Sequence, residues 1–121
     1  YVLSDGRDGL LYSATHINHP SAVWVRQSVQ NYMWLAEMLE SLCGEYTYRY
    51  GKTHACERLI GSLNSPPKNI EFGNGFAEPT PAMPDVYKVS GNSIQSYKNY
   101  YLGDKTRMFS WKKRPRPEWI P

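Results

Sequence analysis

The sequence predicts a mainly α-helical fold, a small bundle of about three helices with a long proline-rich loop. Apolar residues recur at alternating steps of three and four in three separate stretches, which is the spacing of one helix face. Five of the nine prolines fall between residues 65 and 92, where they interrupt this pattern. At 121 residues the chain has the size of one domain, so we expect a single helical domain over residues 1–121.

The longest predicted helix spans residues 21–48. Ser21 follows Pro20 and is a suitable N-cap, because its hydroxyl can accept a bond from a first-turn N–H group. Trp34 falls near the polar side of this helix, where it is either exposed or covered by another segment. The apolar stripe consists of Val25, Val29, Tyr32, Ala36, Leu39, Cys43, Tyr46 and Tyr50.

Two further helices are predicted, over residues 53–64 and 93–112. Gly51 can end the first helix, and Thr53 can cap the second. Ser93 can cap the third, in which Gly103 costs about 1 kcal/mol relative to alanine.

The remaining segments are predicted to lack regular structure. Prolines and glycines prevent a helix or a central strand in residues 65–92, and the apolar residues there favour a loop that wraps over the core. Residues 112–121 contain three prolines and are expected to form an extended basic tail. The apolar loop residues are Ile70, Phe72, Phe76, Met83, Val86 and Tyr87.

Positive charge is concentrated near the carboxyl end of the chain. Residues 1–87 carry six basic and nine acidic groups, whereas residues 88–121 carry eight basic and two acidic groups. Six of the basic groups fall within residues 105–116, a density that attracts phosphate through release of counterions. The alternative is a solvated tail without a partner. We expect DNA or RNA as the partner.

Tyrosine rings alternate with a lysine just before this basic region, in residues 97–101. Stacking of a base on such a ring is worth about 1–3 kcal/mol, although Tyr97 and Tyr101 also fit the apolar stripe of the third helix. The predicted nucleic-acid-binding residues are Tyr97, Lys98, Tyr100, Lys105, Lys112, Lys113, Arg114 and Arg116.

A second candidate site lies at the end of the first helix, with Glu45, Arg49 and His54 as candidate catalytic residues. A carboxylate held among cations has a lowered pKa and acts as a base or an electrostatic stabiliser. The alternative for Glu45 and Arg49 is a surface ion pair, worth about 0.3–0.5 kcal/mol. Asn31 flanks the same stripe, and such a polar group belongs either to a structural network or to a site.

No metal or cofactor is expected. His16 and His19 form an H-x-x-H pair, but their spacing to His54 and Cys56 matches no standard zinc pattern. Cys43 and Cys56 fall on apolar helical positions, which predicts buried free thiols in a reducing compartment, with a disulfide between them as the alternative. No apolar run approaches the roughly 20 residues that a membrane span needs.

Residues 14–119 resemble a family of bacteriophage and marine viral proteins of unknown function. The resemblance implies a location in the cytoplasm of an infected host cell. Fuller members carry a further N-terminal segment with an Asp-x-His-x-x-Lys pattern, so we expect this chain to be a C-terminal piece. The matching residues include Asn18-His19-Pro20, Asn31-Tyr32, Trp34-Leu35, residues 45–54, Ala82-Met83-Pro84-Asp85, Asn99-Tyr100-Tyr101 and Pro117-Glu118-Trp119.

The chain is more distantly similar to the phage pyrimidine-dimer DNA glycosylases, through residues 97–101. That similarity implies an all-helical enzyme whose nucleophile is its own terminal amine, assisted by a glutamate. Tyr1 matches no such terminus, so we do not expect glycosylase activity.

The first functional hypothesis is therefore a viral-type helical protein that associates with nucleic acid through its basic, tyrosine-rich C-terminal region. The alternative is a fragment of a small phage enzyme, DNA-processing or base-modifying, with its site in residues 45–54. A second alternative is a structural or homo-oligomeric interaction module, in which Trp24, Trp34 and Trp111 are buried between subunits.

Overall fold

The computed structural model describes residues 11–70 and 75–121. Helix accounts for 52% of these residues and no strand occurs among them, well above the roughly one-third helix of an average protein. The prediction of a mainly helical fold is confirmed. The chain divides into two compact units, the first ending at Ala77 and the second comprising Glu78–Pro121. That the chain is a single domain stays a prediction.

The described residues of the first unit form three α-helices: α1 (Pro20–Arg26), α2 (Val29–Tyr50) and α3 (Ile60–Leu63). The single helix predicted over residues 21–48 was wrong, because the chain leaves helical geometry at Ser28, with φ −159° and ψ 158°. The Ser28 hydroxyl accepts a hydrogen bond from the N–H of Asn31 at 3.0 Å and thereby caps α2.

The start of α1 also differs from the prediction. Ser21 was expected to be the N-cap, but that position belongs to His19, whose Nδ1 accepts a hydrogen bond from the N–H of Ser21 at 3.1 Å. Pro20 is the first helical residue, where its fixed φ suits the helix and its missing N–H costs nothing.

α2 ends at Tyr50, two residues beyond the predicted end, and Gly51 is its C-cap, as the sequence predicts. Gly51 has a left-handed φ of 64°, and its N–H donates to the carbonyl of Thr47 at 2.8 Å. The predicted helix 53–64 is a 3₁₀ turn (Ala55–Leu59) continued by α3. Its cap is His54 and not Thr53, because the Nδ1 atom of His54 accepts from the N–H of Cys56 at 3.0 Å.

The core of the first unit forms around the α1–α2 corner. Trp24, Val25 and Tyr32 are buried there, Ile70 packs against them, and the Tyr32 hydroxyl donates to the carbonyl of Leu63 at 2.8 Å. Burial of rings of this size contributes most of the stability of a small core.

Trp34 lies at the edge of this core, 41% exposed. Its ring meets that of Trp24 edge-on at 5.7 Å, and Phe76 contacts both rings at 5.8–6.0 Å. Residues of the proline-rich loop thus pack on the first unit at Ile70 and Phe76, while Phe72 lies outside the described residues.

The second unit is built around α4 (Ser93–Asp104), with 3₁₀ turns at Asp85–Tyr87 and Thr106–Met108. The predicted helix 93–112 was too long, because Lys105 leaves helical geometry with φ −120° and ψ 7°. Ser93 is not its cap, since the Asn92 side chain accepts from the N–H of Gln95 at 3.0 Å.

Gly103 has a packing role in α4. A Cβ atom there would lie 2.9 Å from the Cζ and hydroxyl oxygen of Tyr87, closer than carbon atoms tolerate. The absence of a side chain lets the Tyr87 ring pack on the helix, which offsets the propensity cost of glycine.

The extended tail predicted over residues 112–121 was also wrong. The N–H of Arg114 donates to the carbonyl of Trp111, and the N–H of Ile120 to that of Pro117, both at 3.1 Å. These two turns bring Ile120 back to a buried position, 8% exposed. No helix in the described ranges is long and apolar enough to cross a membrane.

Glu78 fixes the start of α4 in the second unit. Its Oε1 accepts hydrogen bonds from the hydroxyl and the N–H of Ser93, both at 2.7 Å. These bonds, that from the hydroxyl foremost, hold the pKa of Glu78 below its usual value because they stabilise the charged carboxylate.

We expect Glu78→Gln to lower the melting temperature at pH 7 and to remove part of the acid dependence of stability. Because the folded pKa is lowered, the stabilisation is present above the unfolded pKa of about 4.3 and is lost as pH falls through the folded value. Thermal unfolding followed by circular dichroism from about pH 7 to 3 measures this. The wild-type and variant curves should converge at the acid end.

Asp85→Asn is the matched control. Its carboxylate pairs with Lys88 at 2.9 Å but is 95% exposed, so its loss should change the melting temperature little at any pH. Equal melting temperatures for wild type and Glu78→Gln at pH 7 would contradict the role assigned to Glu78.

Candidate nucleic-acid interface and polar sites

The last turns of α2 bring together two of the three predicted catalytic residues. The Nε of Arg49 donates to the Oε1 of Glu45 at 2.8 Å, with the two side chains 25% and 32% exposed respectively. The geometry is that of an i,i+4 ion pair on a half-buried helix face.

His54, the third predicted catalytic residue, lies just beyond α2. Its ring meets the ring of Tyr46 edge-on at 4.9 Å, and Tyr46 in turn contacts Tyr50 at 5.0 Å. Because Nδ1 accepts the hydrogen bond from Cys56, the neutral ring carries its proton on Nε2. His54 therefore caps the 3₁₀ turn and contacts Tyr46, whereas Glu45 pairs with Arg49.

Asn31 belongs to a structural network. It is completely buried, its Nδ2 donates to the carbonyl of Trp24, and its Oδ1 accepts from the N–H of Ala77, both at 2.9 Å. The indole N–H of Trp24 donates to the carbonyl of Ala77 at 3.1 Å. These bonds join α1, α2 and the segment at Ala77, so the polar groups of Asn31 are satisfied within the fold.

Both cysteines are free thiols. Cys43 is buried, as predicted, whereas Cys56 is only half-buried. Burial foremost, followed by electrostatic interaction with Glu57 and with Cys56, raises the pKa of Cys43 above its usual value, so its thiol stays protonated at neutral pH. Within residues 11–70 and 75–121, no three His, Cys, Asp or Glu side chains are placed to hold a metal ion.

The second unit places two lysines over aromatic rings. The Nζ of Lys98 lies 5.6 Å from the centre of the Trp119 ring, and the Nζ of Lys105 lies 5.1 Å from the centre of the Tyr100 ring. Both distances fall within the roughly 6 Å range of a cation–π interaction. Each pair thus brings a cation against a ring, one within α4 at Lys98 and one at its C-cap, Lys105.

Further rings surround Tyr100. Tyr87 and Tyr101 lie 5.4 and 6.2 Å from it, centre to centre, and Tyr101 is 46% exposed. Phe109 and Trp111 form another pair at 5.6 Å. Such rings can accept a stacked base wherever a face reaches solvent.

The cations of the predicted tail are exposed. Lys112, Lys113 and Arg114 lie at the turn that begins at Trp111, with Lys113 at a left-handed φ of 62°. The guanidinium of Arg116 donates to the carbonyl of Pro121 at 3.1 Å. The turn gathers these charges on a short stretch of surface.

Tyr97 has a structural role. It is half-buried, and its hydroxyl accepts a hydrogen bond from the N–H of Ala82 at 3.2 Å. Nothing in the sequence indicated that Trp119 would contact Lys98 or that Tyr87 would contact Tyr100. Trp119 lies 21 residues from Lys98, a separation that gives no periodic signal.

Comparison of the chain with protein-family models, with curated proteins and with solved structures found no match. The resemblance to viral proteins therefore stays a prediction.

Proposed function

We propose that the second unit binds nucleic acid through a surface formed by Lys98, Tyr100, Lys105 and Trp119, called here the ring–cation surface. The observation that carries this proposal is the placement of Lys98 over Trp119 and Lys105 over Tyr100. A strand of nucleic acid offers phosphates to the cations and base faces to the rings, so one ligand satisfies both kinds of group.

The charge of the unit supports the proposal. Residues 78–121 carry eight basic and four acidic groups, a net charge of +4, while residues 1–77 carry six basic and seven acidic groups. The exposed cations of the 111–114 turn and Arg116 add phosphate-binding groups to the same unit. The partner is therefore DNA or RNA, bound chiefly through its backbone.

The resemblance of residues 14–119 to viral proteins supports a setting for this activity. We infer that the protein acts in the cytoplasm of an infected host cell, where viral nucleic acid is the available partner.

Two observations disfavour the alternatives. Trp24 is buried to 4% exposure within its own unit, so it is not available to a subunit interface. Glu45 pairs with Arg49 at 2.8 Å and His54 accepts from the N–H of Cys56, so both side chains have structural roles, which disfavours an enzyme site in residues 45–54.

Fluorescence anisotropy with a labelled oligothymidylate of about 20 nucleotides tests the proposal. We expect saturable binding at about 50 mM salt, and affinity about fiftyfold weaker at about 200 mM if four phosphates are contacted, from a slope of about −0.7 per contact. Absence of binding at low salt would contradict the proposal. Equal competition by heparin and DNA would contradict the role of the rings, because heparin supplies charge without bases.

A further inference from the structure

Both cysteines of the chain lie close to the bend at Gly51. Cys43 belongs to the second half of α2, and Cys56 belongs to the 3₁₀ turn Ala55–Leu59. Both are free thiols in the structure. Whether the two thiols can react with each other depends on how this turn packs against α2.

The segment after the bend runs back along α2 in the antiparallel direction. Near the bend, the rings of Tyr46 and His54 lie 4.9 Å apart, centre to centre. At the far end, the Tyr32 hydroxyl donates to the carbonyl of Leu63 at 2.8 Å. The residues between these two contacts therefore face each other in reverse order, and both cysteines lie within this interval.

The two cysteines lie at the same level of this pairing. Cys43 is three residues back from Tyr46 along α2, a displacement of about 4.5 Å at the α-helical rise. Cys56 is two residues beyond His54, a displacement of about 4 Å at the 3₁₀ rise. Both displacements lead away from the bend and differ by less than about 1 Å, which places the two cysteines opposite each other.

Both cysteines also lie on the faces through which the two elements pack. Cys43 shares a face of α2 with Leu39, one turn away, and Cys56 shares a face of the 3₁₀ turn with Leu59, three residues on. Leu39 and Leu59 line the same cavity, and Leu59 is 7% exposed. The two thiols are therefore directed at the same interface.

The surroundings of each thiol agree with this placement. Cys43 is 3% exposed, and burial foremost, followed by interaction with Glu57 and with Cys56, raises its pKa. Cys56 is half-buried, so a reagent in solution reaches its sulfur more readily than that of Cys43.

We propose that Cys43 and Cys56 form a reversible disulfide when the chain meets a low-molecular-weight disulfide such as oxidised glutathione. The bond closes a loop of 14 residues across the bend and fixes the 3₁₀ turn on α2. Such a cross-link stabilises the fold chiefly by restricting the unfolded chain. It lies in the first unit and does not depend on nucleic-acid binding by the second.

The reaction is a thiol–disulfide exchange in two steps. The thiolate of Cys56 attacks one sulfur of oxidised glutathione, whose S–S bond breaks and releases one glutathione thiolate. Cys43 then loses its proton, and its sulfur attacks the Sγ of Cys56, which forms the protein disulfide and releases the second glutathione. The two cysteines lose two electrons and two protons in all, and the two glutathiones gain them.

Intact-mass spectrometry of the whole chain, equilibrated with reduced and oxidised glutathione and quenched with acid, tests the proposal. We expect a monomer that lacks two hydrogen atoms, which identifies the bond because the chain has only two cysteines. The folded chain should form this disulfide at least about tenfold more readily than the chain in urea. Accumulation of glutathione adducts or linked dimers, or an equal tendency in both states, would overturn the proposal.

Two variants separate the two steps of the reaction. Cys43→Ala should retain one glutathione on Cys56, because no second thiol is present to displace it. Cys56→Ser should take up glutathione at least about tenfold more slowly, because its remaining thiol is buried. Equal rates for the two variants would contradict the order in which the thiols react.

Oxidation should raise the melting temperature of the wild-type chain by about 10 °C, as expected for a loop of this length in a small domain. Cys56→Ser, treated in the same way, is the control and should melt at an unchanged temperature. An oxidised wild-type chain that melts at or below the temperature of the reduced chain would overturn the proposal, because the bond would then strain the fold.

Discussion

Asn31→Ala is expected to destabilise the first unit by about 3 kcal/mol. The substitution removes a hydrogen bond to the Trp24 carbonyl and another from the Ala77 N–H, and it leaves a void where a completely buried side chain was. Trp24 loses part of its support at the same time, because its indole bonds to the same segment at Ala77. Urea unfolding followed by far-ultraviolet circular dichroism measures the change as a lower midpoint.

Gln30→Ala is the matched control, since Gln30 is the exposed neighbour of Asn31 on α2 and its loss should change stability by no more than about 0.5 kcal/mol. A stability for Asn31→Ala equal to that of Gln30→Ala would show that the network is not structural.

The paired substitution Lys112→Gln and Lys113→Gln is expected to weaken binding of single-stranded DNA by about tenfold or more at low salt. Each lysine that contacts a phosphate contributes about 0.7 to the slope of log affinity against log salt, so the slope should become shallower by about 1.4. Both side chains are exposed at the 111–114 turn, and circular dichroism of the variant checks that the fold is retained. Anisotropy titrations at several salt concentrations measure both quantities.

Lys52→Gln together with Lys68→Gln removes the same charge from exposed positions of the first unit. This control variant should bind DNA as the wild type does, with the same salt dependence. If the two double variants lose affinity equally, binding depends on overall charge and is not localised to the second unit.

The helical character of the chain could be predicted because apolar periodicity reports it directly, but the position of helix ends could not. The stripe continues from Val25 to Val29 across the break at Ser28, so periodicity alone predicts one helix. Ser28 is a good N-cap type, and its hydroxyl bond to the N–H of Asn31 is the interaction that selects the break. The Ser28 cap therefore determines where α2 begins, whereas the apolar spacing indicates only which side of a helix is buried.

The end of α4 illustrates the same limit. Met108 and Trp111 continue the three-four spacing, yet the helix stops at Asp104. Lys105 leaves helical geometry, and a 3₁₀ turn at Thr106–Met108 replaces the expected continuation. The spacing of apolar residues does not indicate where a 3₁₀ turn replaces an α-helix.

The basic character of the candidate interface followed from composition, while its geometry did not. Charge density pointed to residues 105–116, and alternating rings pointed to residues 97–101. The pairing of Lys98 with Trp119 depends on the turn at Pro117–Ile120, which the sequence did not predict because its prolines favoured an extended chain. Among the candidate catalytic residues, the geometry of one pair could be predicted, because the i,i+4 spacing predicts the ion pair of Glu45 and Arg49. The spacing gave no indication that His54 would cap the next turn.

The ring–cation surface is tested most directly by comparing two single strands of equal length, an oligothymidylate and an abasic strand with the same phosphates. Because stacking contributes about 1–3 kcal/mol per base, the wild-type chain should bind the oligothymidylate at least about tenfold more tightly at the same salt concentration. Equal affinity for the two strands would contradict the account, because it would mean that the rings at Tyr100 and Trp119 contact no bases.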